Sequence, residues 1–223
     1  MIQSKHIYIM DVSILLICKE DRGYLDEARV SALNQKFSGT FEVIEQHADL
    51  STAENINAGT KRCSGKWIKW LADDDYLAEG CIQSMYDYGE KHSIDLVYAN
   101  VIHFNGTTET QFKPRKFRTI QDFAERNPIS GGGVLYRRSV LEKLGCLDER
   151  LKYGEEWDLN MRIADAGYKF GYLDKFVYNY RVHGEMKSMQ GEIKDGFAYI
   201  IRKRYLRDTI YMKYINNRKI IVQ

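Results

Sequence analysis

The sequence predicts an α/β fold, built on a mostly parallel β-sheet that is flanked by helices. Between residues 11 and 101, apolar runs of strand length alternate with stretches of helical length, which is the pattern of a parallel sheet with helical connections. The apolar runs are continuous rather than alternating, as expected of strands that are covered on both faces. Three consecutive aspartates, Asp73, Asp74 and Asp75, directly follow one of these runs, and ligands of such sheets bind beyond the carboxyl ends of the strands.

The first half of the chain is predicted to begin with the order strand, helix, strand. The first strand covers residues 11–18 (DVSILLIC), and charged residues follow it where a turn is expected. A helix over residues 24–36 has Leu25, Ala28 and Leu33 at its apolar positions. The next predicted elements are a strand over residues 41–45, a helix over 53–62, a strand over 67–71, a helix over 78–92 and a strand over 95–101.

The second half is predicted to contain shorter elements around glycine-rich turns. Residues 130–133 (SGGG) lack the strand and helix context of a dinucleotide-binding or P-loop motif, so we interpret them as a turn. A helix over residues 158–166 is expected to end before Gly167. The other predicted elements are strands over residues 134–137 and 176–182, a helix over 139–144, and loops over 111–118 and 127–133.

Composition narrows the function classes. The net charge of +2, with 29% charged residues, gives no reason to expect a nucleic-acid partner. The four cysteines lack CxxC spacing, which favours free thiols over a zinc site or a disulfide framework. No apolar run approaches the roughly 18 residues needed to span a bilayer, so we expect a cytoplasmic protein, with peripheral membrane association left open.

The aspartate triplet, Asp73, Asp74 and Asp75, predicts a cation site. Like charges repel and are costly to desolvate at the end of a buried strand, so a positive partner is expected beside them. Carboxylate oxygens at this density suit Mg²⁺ or Mn²⁺ bridging a diphosphate, while a neighbouring carboxylate accepts hydrogen bonds from a ribose. The alternative is an acidic surface turn without a ligand.

A second acidic cluster occurs in YGEEWDLNMR, where Glu155, Glu156 and Asp158 stand at a predicted helix start. Carboxylates there gain from the helix dipole, so capping alone would account for them. The sharper interpretation is a general base, because the apolar wall of Trp157 would raise the pKa of a neighbouring carboxyl group. Trp70 or Trp157 could also stack on a sugar ring.

His183 and Arg181 end the last predicted strand. The imidazole of His183 would serve beside a metal and diphosphate as a ligand or a phosphate contact. Arg181 points to the same side of the strand and could pair with an acidic residue instead. A purely structural role remains open for both.

Taken in order, these motifs carry a family likeness over about residues 11–184. The segment NAGTKRCSGKWIKWLADDDYL resembles the asparagine-x-glycine helix, apolar strand and Asp-rich metal motif of glycosyltransferase family 2 enzymes. The segment GGGVLYRRSVLEKLGCLDERL is similar to that family's acceptor-side segment, and GEEWDLNMRIADAGYKFGYLDKFVYNYRVHG resembles its acidic catalytic helix and closing tyrosine-arginine-x-histidine. The resemblance implies the GT-A fold, a Rossmann-like sheet flanked by helices, over residues 1–190.

The resemblance also implies an activity: inverting transfer of a sugar from a nucleotide diphosphate sugar to a hydroxyl acceptor, with Mn²⁺ or Mg²⁺ bound. A UDP-sugar is the default donor, and a glycan, a lipid-linked molecule or a protein is the acceptor. Asp74 is the first choice for the metal, with Asp73 and Asp75 on ribose or metal-bound water and His183 as a further ligand. Glu156 takes the position of the base and Asp158 competes with it, while the acceptor side comprises Gly132, Gly133 and Trp157.

Three departures from the family pattern affect these assignments. Leu71 is followed by Ala72 where many relatives carry aspartate, so the role of each aspartate depends on a one-residue choice of alignment. The family's base is commonly aspartate, whereas the side chain of Glu156 is longer by one methylene. The aspartate pair after the second strand is missing. The donor-binding candidates are Cys18, Glu20, Glu45, Asp49, Asn57 and Arg181.

A basic amphipathic extension is expected over residues 191–223. It would lie on an anionic membrane near a lipid-linked acceptor, or pack on the catalytic domain or on a second subunit as a homodimer. Two other protein classes stay open. A sugar-nucleotide or glycan-binding module would need no base at Glu156, and a nucleotidyltransferase would want a glycine-rich basic phosphate loop, which the chain lacks after its first strand.

Overall fold

The central element is one mixed β-sheet, described in a computed structural model for residues 9–187, 191–205 and 221–222. Its strands are β1 (Met10–Cys18), β2 (Phe41–His47), β3 (Gly65–Ala72), β4 (Tyr76–Leu77), β5 (Leu96–Phe104), β6 (Glu109–Phe112), β7 (Val134–Arg137), β8 (Lys169–Arg181) and β9 (Ile221–Val222). The helices are α1 (Leu25–Leu33), α2 (Thr52–Arg62), α3 (Cys81–Lys91), α4 (Ile120–Glu125), α5 (Arg138–Leu144), α6 (Glu155–Asp165) and α7 (Gly191–Tyr205). A 3₁₀ turn at Gly131–Gly133, hereafter the glycine turn, precedes β7.

The sheet order is β2-β1-β3-β7-β5-β8-β4, with β6 paired to β5 and β9 to β8. The predicted parallel arrangement holds in the β2-β1-β3 part and again between β5 and β8. Between those parts, β7 runs antiparallel to both β3 and β5. The α/β class is confirmed. The sheet contains more antiparallel pairing than the alternating pattern suggested, because β7 enters it in the reverse direction and because β4 and β6 also pair antiparallel with their neighbours.

Most predicted elements are found within a few residues of their expected ends, but β8 begins at Lys169, seven residues before the strand predicted over 176–182, and three further differences occur. The segment 111–118 is not all loop, since β6 ends at Phe112. A helix, α4, forms after Thr119, whose side chain and that of Asp122 make a reciprocal capping box. The helix α6 begins at Glu155, three residues earlier than predicted, because Gly154 takes a left-handed conformation (φ +74°) as its N-cap.

Two hydrophobic clusters cover the two faces of the sheet. One contains side chains of α1 and α3, including Leu25, Ala28, Ile82 and Met85. The other contains side chains of α2 and α4 to α7. Leu15 belongs to the second cluster whereas its neighbours in β1 belong to the first, so the strand is apolar on both faces, as its continuous sequence pattern predicted.

The described part of the C-terminal extension packs on helices α4 and α6. In α7, Ile201 is fully buried and Tyr205 is 5% exposed, both in the second cluster. Residues 206–220 and 223, which carry much of the predicted basic amphipathic stretch, lie outside the described residues. Within the part of the chain that the structure describes, no helix is both long enough and apolar enough to cross a bilayer. The four cysteines are free thiols, as predicted.

Candidate active site

The aspartate triplet follows β3 at the edge of the sheet where β1 also ends. Ala72, the last residue of β3, is paired in register with Ile17 of β1. The backbone N–H of Asp73 then donates to the carbonyl oxygen of Ile17 at 3.1 Å. This contact places the triplet beyond the carboxyl ends of two parallel strands.

Arg22, in the loop after β1, is the positive partner that the triplet was expected to have. Its Nη2 donates to Asp73 Oδ1 at 3.1 Å and to Asp74 Oδ2 at 3.0 Å. Asp73 is 6% exposed, and its second carboxylate oxygen is buried without a hydrogen-bond partner among the described residues. Burial raises the pKa of Asp73, a shift that the nearby Cys18 thiol and the pairing with Arg22 oppose. The pair leaves a carboxylate oxygen available for a further cation or donor.

The side chains of the three aspartates point in different directions. Asp74 Oδ2 also hydrogen-bonds His183 Nε2 at 3.0 Å, so Asp74 joins Arg22 to the imidazole. Asp75 is instead committed to the protein interior: it is 4% exposed, and accepts from the Tyr178 hydroxyl at 2.8 Å and from the Arg181 N–H at 2.7 Å. Burial, with the charge of Asp74, raises the pKa of Asp75 to about 7. Asp73 and Asp74 therefore form the part of the triplet that faces Arg22, whereas Asp75 faces the interior.

Arg181 holds the triplet from the end of β8. Its Nε donates to the carbonyl oxygen of Asp74 at 2.8 Å, and its Nη2 pairs with Glu27 of α1. The guanidinium also lies 4.2 Å from the ring centroid of Tyr24. Because its donors and its flat face are engaged in this way, Arg181 holds the aspartate triplet against α1.

The second acidic cluster divides into paired and unpaired carboxylates. Glu155 is 3% exposed and pairs with Lys187. Glu156 is half-buried, and within the described residues no other side chain donates a hydrogen bond to it. Burial of the carboxyl group and the negative charge of Glu155 raise the pKa of Glu156. An unpaired carboxylate with a raised pKa has the properties of a general base.

Asp158 and Trp157 are engaged in helix packing. Asp158 is fully buried, accepting from Arg162 Nε at 2.9 Å and from Arg204 of α7. The indole N–H of Trp157 donates to the carbonyl oxygen of Phe123 at 3.0 Å, and the residue is 6% exposed. These contacts fix α6 to α4 and α7.

The glycine turn is a neighbour of both acidic clusters. A Cβ at Gly131 would lie 3.1 Å from Glu156 Oε1, and one at Gly132 would lie 2.3 Å from the ring of Tyr178, which binds Asp75. A Cβ at Gly133 would lie 2.7 Å from the carbonyl oxygen of Ala99. At Gly132 and Gly133 only glycine fits this close approach, so the turn can lie against both the Glu156 side and the Asp75 side.

Two of the donor-binding candidates lie near the ends of β1 and β2. Cys18 is 2% exposed, and burial, with the nearby Asp73, raises the pKa of its thiol to about 12. Glu45 is held by Arg29, whose Nε and Nη2 donate to its two oxygens at 2.6 and 3.0 Å. This pairing lowers the pKa of Glu45 to about 2. Cys18 thus remains protonated and Glu45 ionised around pH 7.

The other candidates are placed differently. Glu20 is exposed in the loop that contains Arg22. Asp49 is exposed and pairs with Lys19 at 3.0 Å. The Asn57 side chain both donates to and accepts from the backbone of Leu147, at 2.9 Å each, so it ties α2 to the loop after α5. These contacts of Asn57 are structural.

Three residues of the site escaped the sequence interpretation: Arg22, Tyr178 and Lys69. A signal existed for each. Arg22 follows the first strand, and the carboxyl ends of parallel strands lie at one edge of the sheet, where the aspartates also fall. Lys69 interrupts the apolar run WIKWL, and Tyr178 lies within the last predicted strand. Their partners, however, are up to 109 residues away in sequence, the separation of Lys69 from Tyr178, and no local sequence pattern indicates contacts over such distances.

Two solved structures show the same fold. Residues 1–349 of S. aureus TarS, in complex with UDP-GlcNAc, match with a TM-score of 0.69 at 16% identity, over 86% of this chain and 64% of that one. GalNAc-T7, solved with UDP, GalNAc and Mn²⁺, matches with a TM-score of 0.64 at 14% identity, over 92% of this chain and 49% of that one. The GT-A fold that the resemblance implied is confirmed.

The chain belongs to glycosyl transferase family 2, whose sequence model matches residues 20–145. An uncharacterized glycosyltransferase of Methanocaldococcus jannaschii is 26% identical over 145 residues, which are 62% of this chain and 50% of that protein. The Bacillus subtilis minor teichoic acid biosynthesis protein GgaB is 25% identical over 151 residues, 65% of this chain and 16% of that protein. The chain therefore corresponds to half or less of the length of these two relatives.

Proposed function

We propose that this chain transfers a sugar from a nucleotide diphosphate sugar to an acceptor hydroxyl, with a divalent cation and with inversion at the anomeric carbon. One observation supports the proposal: the glycine turn lies against Glu156 and is linked through Tyr178 and Asp75 to the aspartate triplet. On one side, Asp73 and Asp74 meet Arg22 and His183. On the other, Glu156 lies unpaired against Gly131. Such a transfer needs negative charge for a cation on the donor side and a base on the acceptor side.

Glu156 is the proposed base. Its half-buried carboxylate is poorly hydrated, which raises its pKa and makes it a stronger proton acceptor than an exposed glutamate. It would accept the proton of the acceptor hydroxyl as that oxygen attacks the anomeric carbon. Attack opposite the departing diphosphate, in one displacement, inverts the anomeric centre. Asp158 is less suited to this task, since both its oxygens are bonded to arginines.

Asp73, Asp74 and His183 are the proposed cation-holding residues. The unpartnered buried oxygen of Asp73 fits this role, as do the carboxylate of Asp74 and the imidazole beside it. Within residues 9–187, 191–205 and 221–222, no three His, Cys, Asp or Glu side chains are already arranged around a common metal position, and Arg22 bridges two of these carboxylates. A bound Mn²⁺ or Mg²⁺ would offset the charge of the diphosphate leaving group. Asp75, which accepts hydrogen bonds from Tyr178 and Arg181 in the interior, would stabilise the conformation of the triplet.

A UDP-sugar is the proposed donor, because TarS was solved with UDP-GlcNAc and GalNAc-T7 with UDP. The GgaB relative is named for teichoic acid biosynthesis, and a mycobacterial relative, 25% identical over 74% of this chain, is named for PGL/p-HBAD biosynthesis. We therefore place the acceptor among glycans and lipid-linked glycans of biosynthetic pathways.

A thermal-shift panel tests this proposal. Nucleoside diphosphates and their sugars would be added with and without Mn²⁺ to the wild type, to Asp74→Ala and to Asp87→Ala, a control at an exposed position of α3. A ligand at 100 times its dissociation constant adds about 2.7 kcal/mol to the free energy of unfolding. We expect one uridine nucleotide to stabilise the wild type and Asp87→Ala only with Mn²⁺, and to leave Asp74→Ala unshifted. The absence of any nucleotide shift in the wild type would contradict the proposed function.

A further inference from the structure

Lys69 is a charged residue at the centre of the sheet. It lies in the middle of β3, between Ile68 and Trp70, and its relative exposure is 0%. Among the residues that the structure describes, no carboxylate forms an ion pair with its ammonium group. A buried, unpaired ammonium is costly to retain, so its local contacts indicate what it does.

The ammonium group is bonded to the glycine turn. Lys69 Nζ donates to the carbonyl oxygen of Gly132, and to that of Trp70 at 3.0 Å. It also lies 4.5 Å from the ring centroid of Tyr178, a favourable cation–π position. Burial lowers the pKa of Lys69 to about 8, so the group remains largely protonated at pH 7 and keeps its donors.

Tyr178 connects the same turn to the aspartate triplet. Its ring fills the space where a Cβ of Gly132 would otherwise be, at 2.3 Å. Its hydroxyl donates to Asp75 Oδ2 at 2.8 Å and accepts from the N–H of Ala72 at 3.3 Å. The turn is therefore packed on the ring of Tyr178, and the hydroxyl of that ring is bound to the end of β3.

We propose that Lys69 and Tyr178 are positioning residues that hold the glycine turn, and through Gly131 the carboxylate of Glu156, at a fixed place relative to the donor-side aspartates. The inference rests on the proposed function, since Glu156 is the group to be positioned. Neither residue is proposed to touch a substrate. Lys69 fixes the turn by its carbonyl oxygen, and Tyr178 fixes it by ring packing and by the bond to Asp75.

Two variants separate these contributions. Lys69→Met keeps most of the side-chain volume and removes the donor to Gly132. Tyr178→Phe keeps the ring and removes the hydroxyl that binds Asp75. Leu33→Ala, at an exposed position of α1, is the matched control. Amide hydrogen exchange is followed in a peptide that covers the glycine turn, where the Gly133 N–H is bonded to the carbonyl oxygen of Ser130 at 3.0 Å, and in a peptide from α3.

The same variants are assayed for release of UDP from UDP-GlcNAc in the presence of Mn²⁺. We expect at least tenfold faster exchange of the turn in Lys69→Met, with α3 unchanged, and a tenfold or greater loss of kcat with the KM for UDP-GlcNAc within twofold of wild type. Tyr178→Phe is expected to change kcat in the same direction. A merely structural role would leave kcat per folded molecule unchanged.

Unchanged exchange of the turn in both variants would overturn the inference, as would an unchanged kcat in an active enzyme. If amide exchange in Lys69→Met is faster in both peptides, the loss is not confined to the glycine turn. The kcat of Tyr178→Phe then decides, because this variant keeps the ring that packs on the turn. A wild type that neither binds nor turns over any nucleotide sugar would contradict the proposed function instead, and the exchange measurement would still show whether the two residues hold the turn.

Discussion

Replacement of Glu156 with glutamine is expected to lower the rate of sugar transfer by about 10²–10⁴-fold, the usual contribution of a general base. Glutamine has nearly the same shape but cannot accept a proton. Nucleotide affinity and the free energy of unfolding should stay close to wild type, because none of the described side chains donates to this carboxylate. The measurement is nucleoside diphosphate release per folded molecule.

The pH profile gives the same prediction a second readout. A base works only when ionised, and the pKa of Glu156 is raised by burial and by Glu155. Wild-type kcat should therefore fall as the pH is lowered through that raised pKa, and the residual activity of Glu156→Gln should lack this dependence. Glu156→Asp, which keeps the carboxylate but withdraws it by one methylene, is expected to have an intermediate rate. Retention of most activity by Glu156→Gln would exclude Glu156 as the base.

Replacement of Asp158 with asparagine is expected to have a different effect, a loss of about 3 kcal/mol in the free energy of unfolding, as for a buried ion pair that loses one partner. The carboxylate is fully buried and bonded to Arg162 and Arg204. Since the two arginine side chains are 25% and 35% exposed, the cost should fall at the low end of the range for such pairs. Because Arg204 belongs to α7, that helix should loosen from α6 first.

Urea unfolding of Asp158→Asn, with Asp87→Asn as an exposed control, measures this loss. Activity per folded molecule should remain near the wild-type value at low temperature. The opposite pattern, normal stability with lost turnover, would move the catalytic base from Glu156 to Asp158.

Much of the fold was predictable because its strands carry local signals. The continuous apolar runs of β1 and β3, and the helices between them, identify a sheet covered on both faces without any knowledge of long-range contacts. The position of β7 was not predictable in this way. A four-residue strand has the same sequence pattern whether it runs parallel or antiparallel to its neighbours, and its direction here follows from the path of the chain through the glycine turn.

The positions of the two acidic clusters at the end of β3 and at the start of α6 were predictable, while the direction of each carboxylate was not. Asp73, Asp74 and Asp75 lie where the backbone leaves the strand, so strand alternation no longer assigns their sides, and their partners come from the loop at Arg22 and from β8. In α6, Glu156 and Asp158 are two residues apart and so cannot share a helix face. Arg162, four residues after Asp158, was a signal that Asp158 is paired.

Calorimetric titration of UDP-GlcNAc in the presence of Mn²⁺, into wild type, Asp74→Asn and Glu156→Gln, is the most direct test of the central claim that the two acidic clusters have separate tasks. We predict that Glu156→Gln binds the donor as tightly as wild type although it turns over poorly, and that Asp74→Asn binds it at least tenfold more weakly. Wild-type affinity in Asp74→Asn, or a matching loss of affinity in Glu156→Gln, would contradict this division of roles.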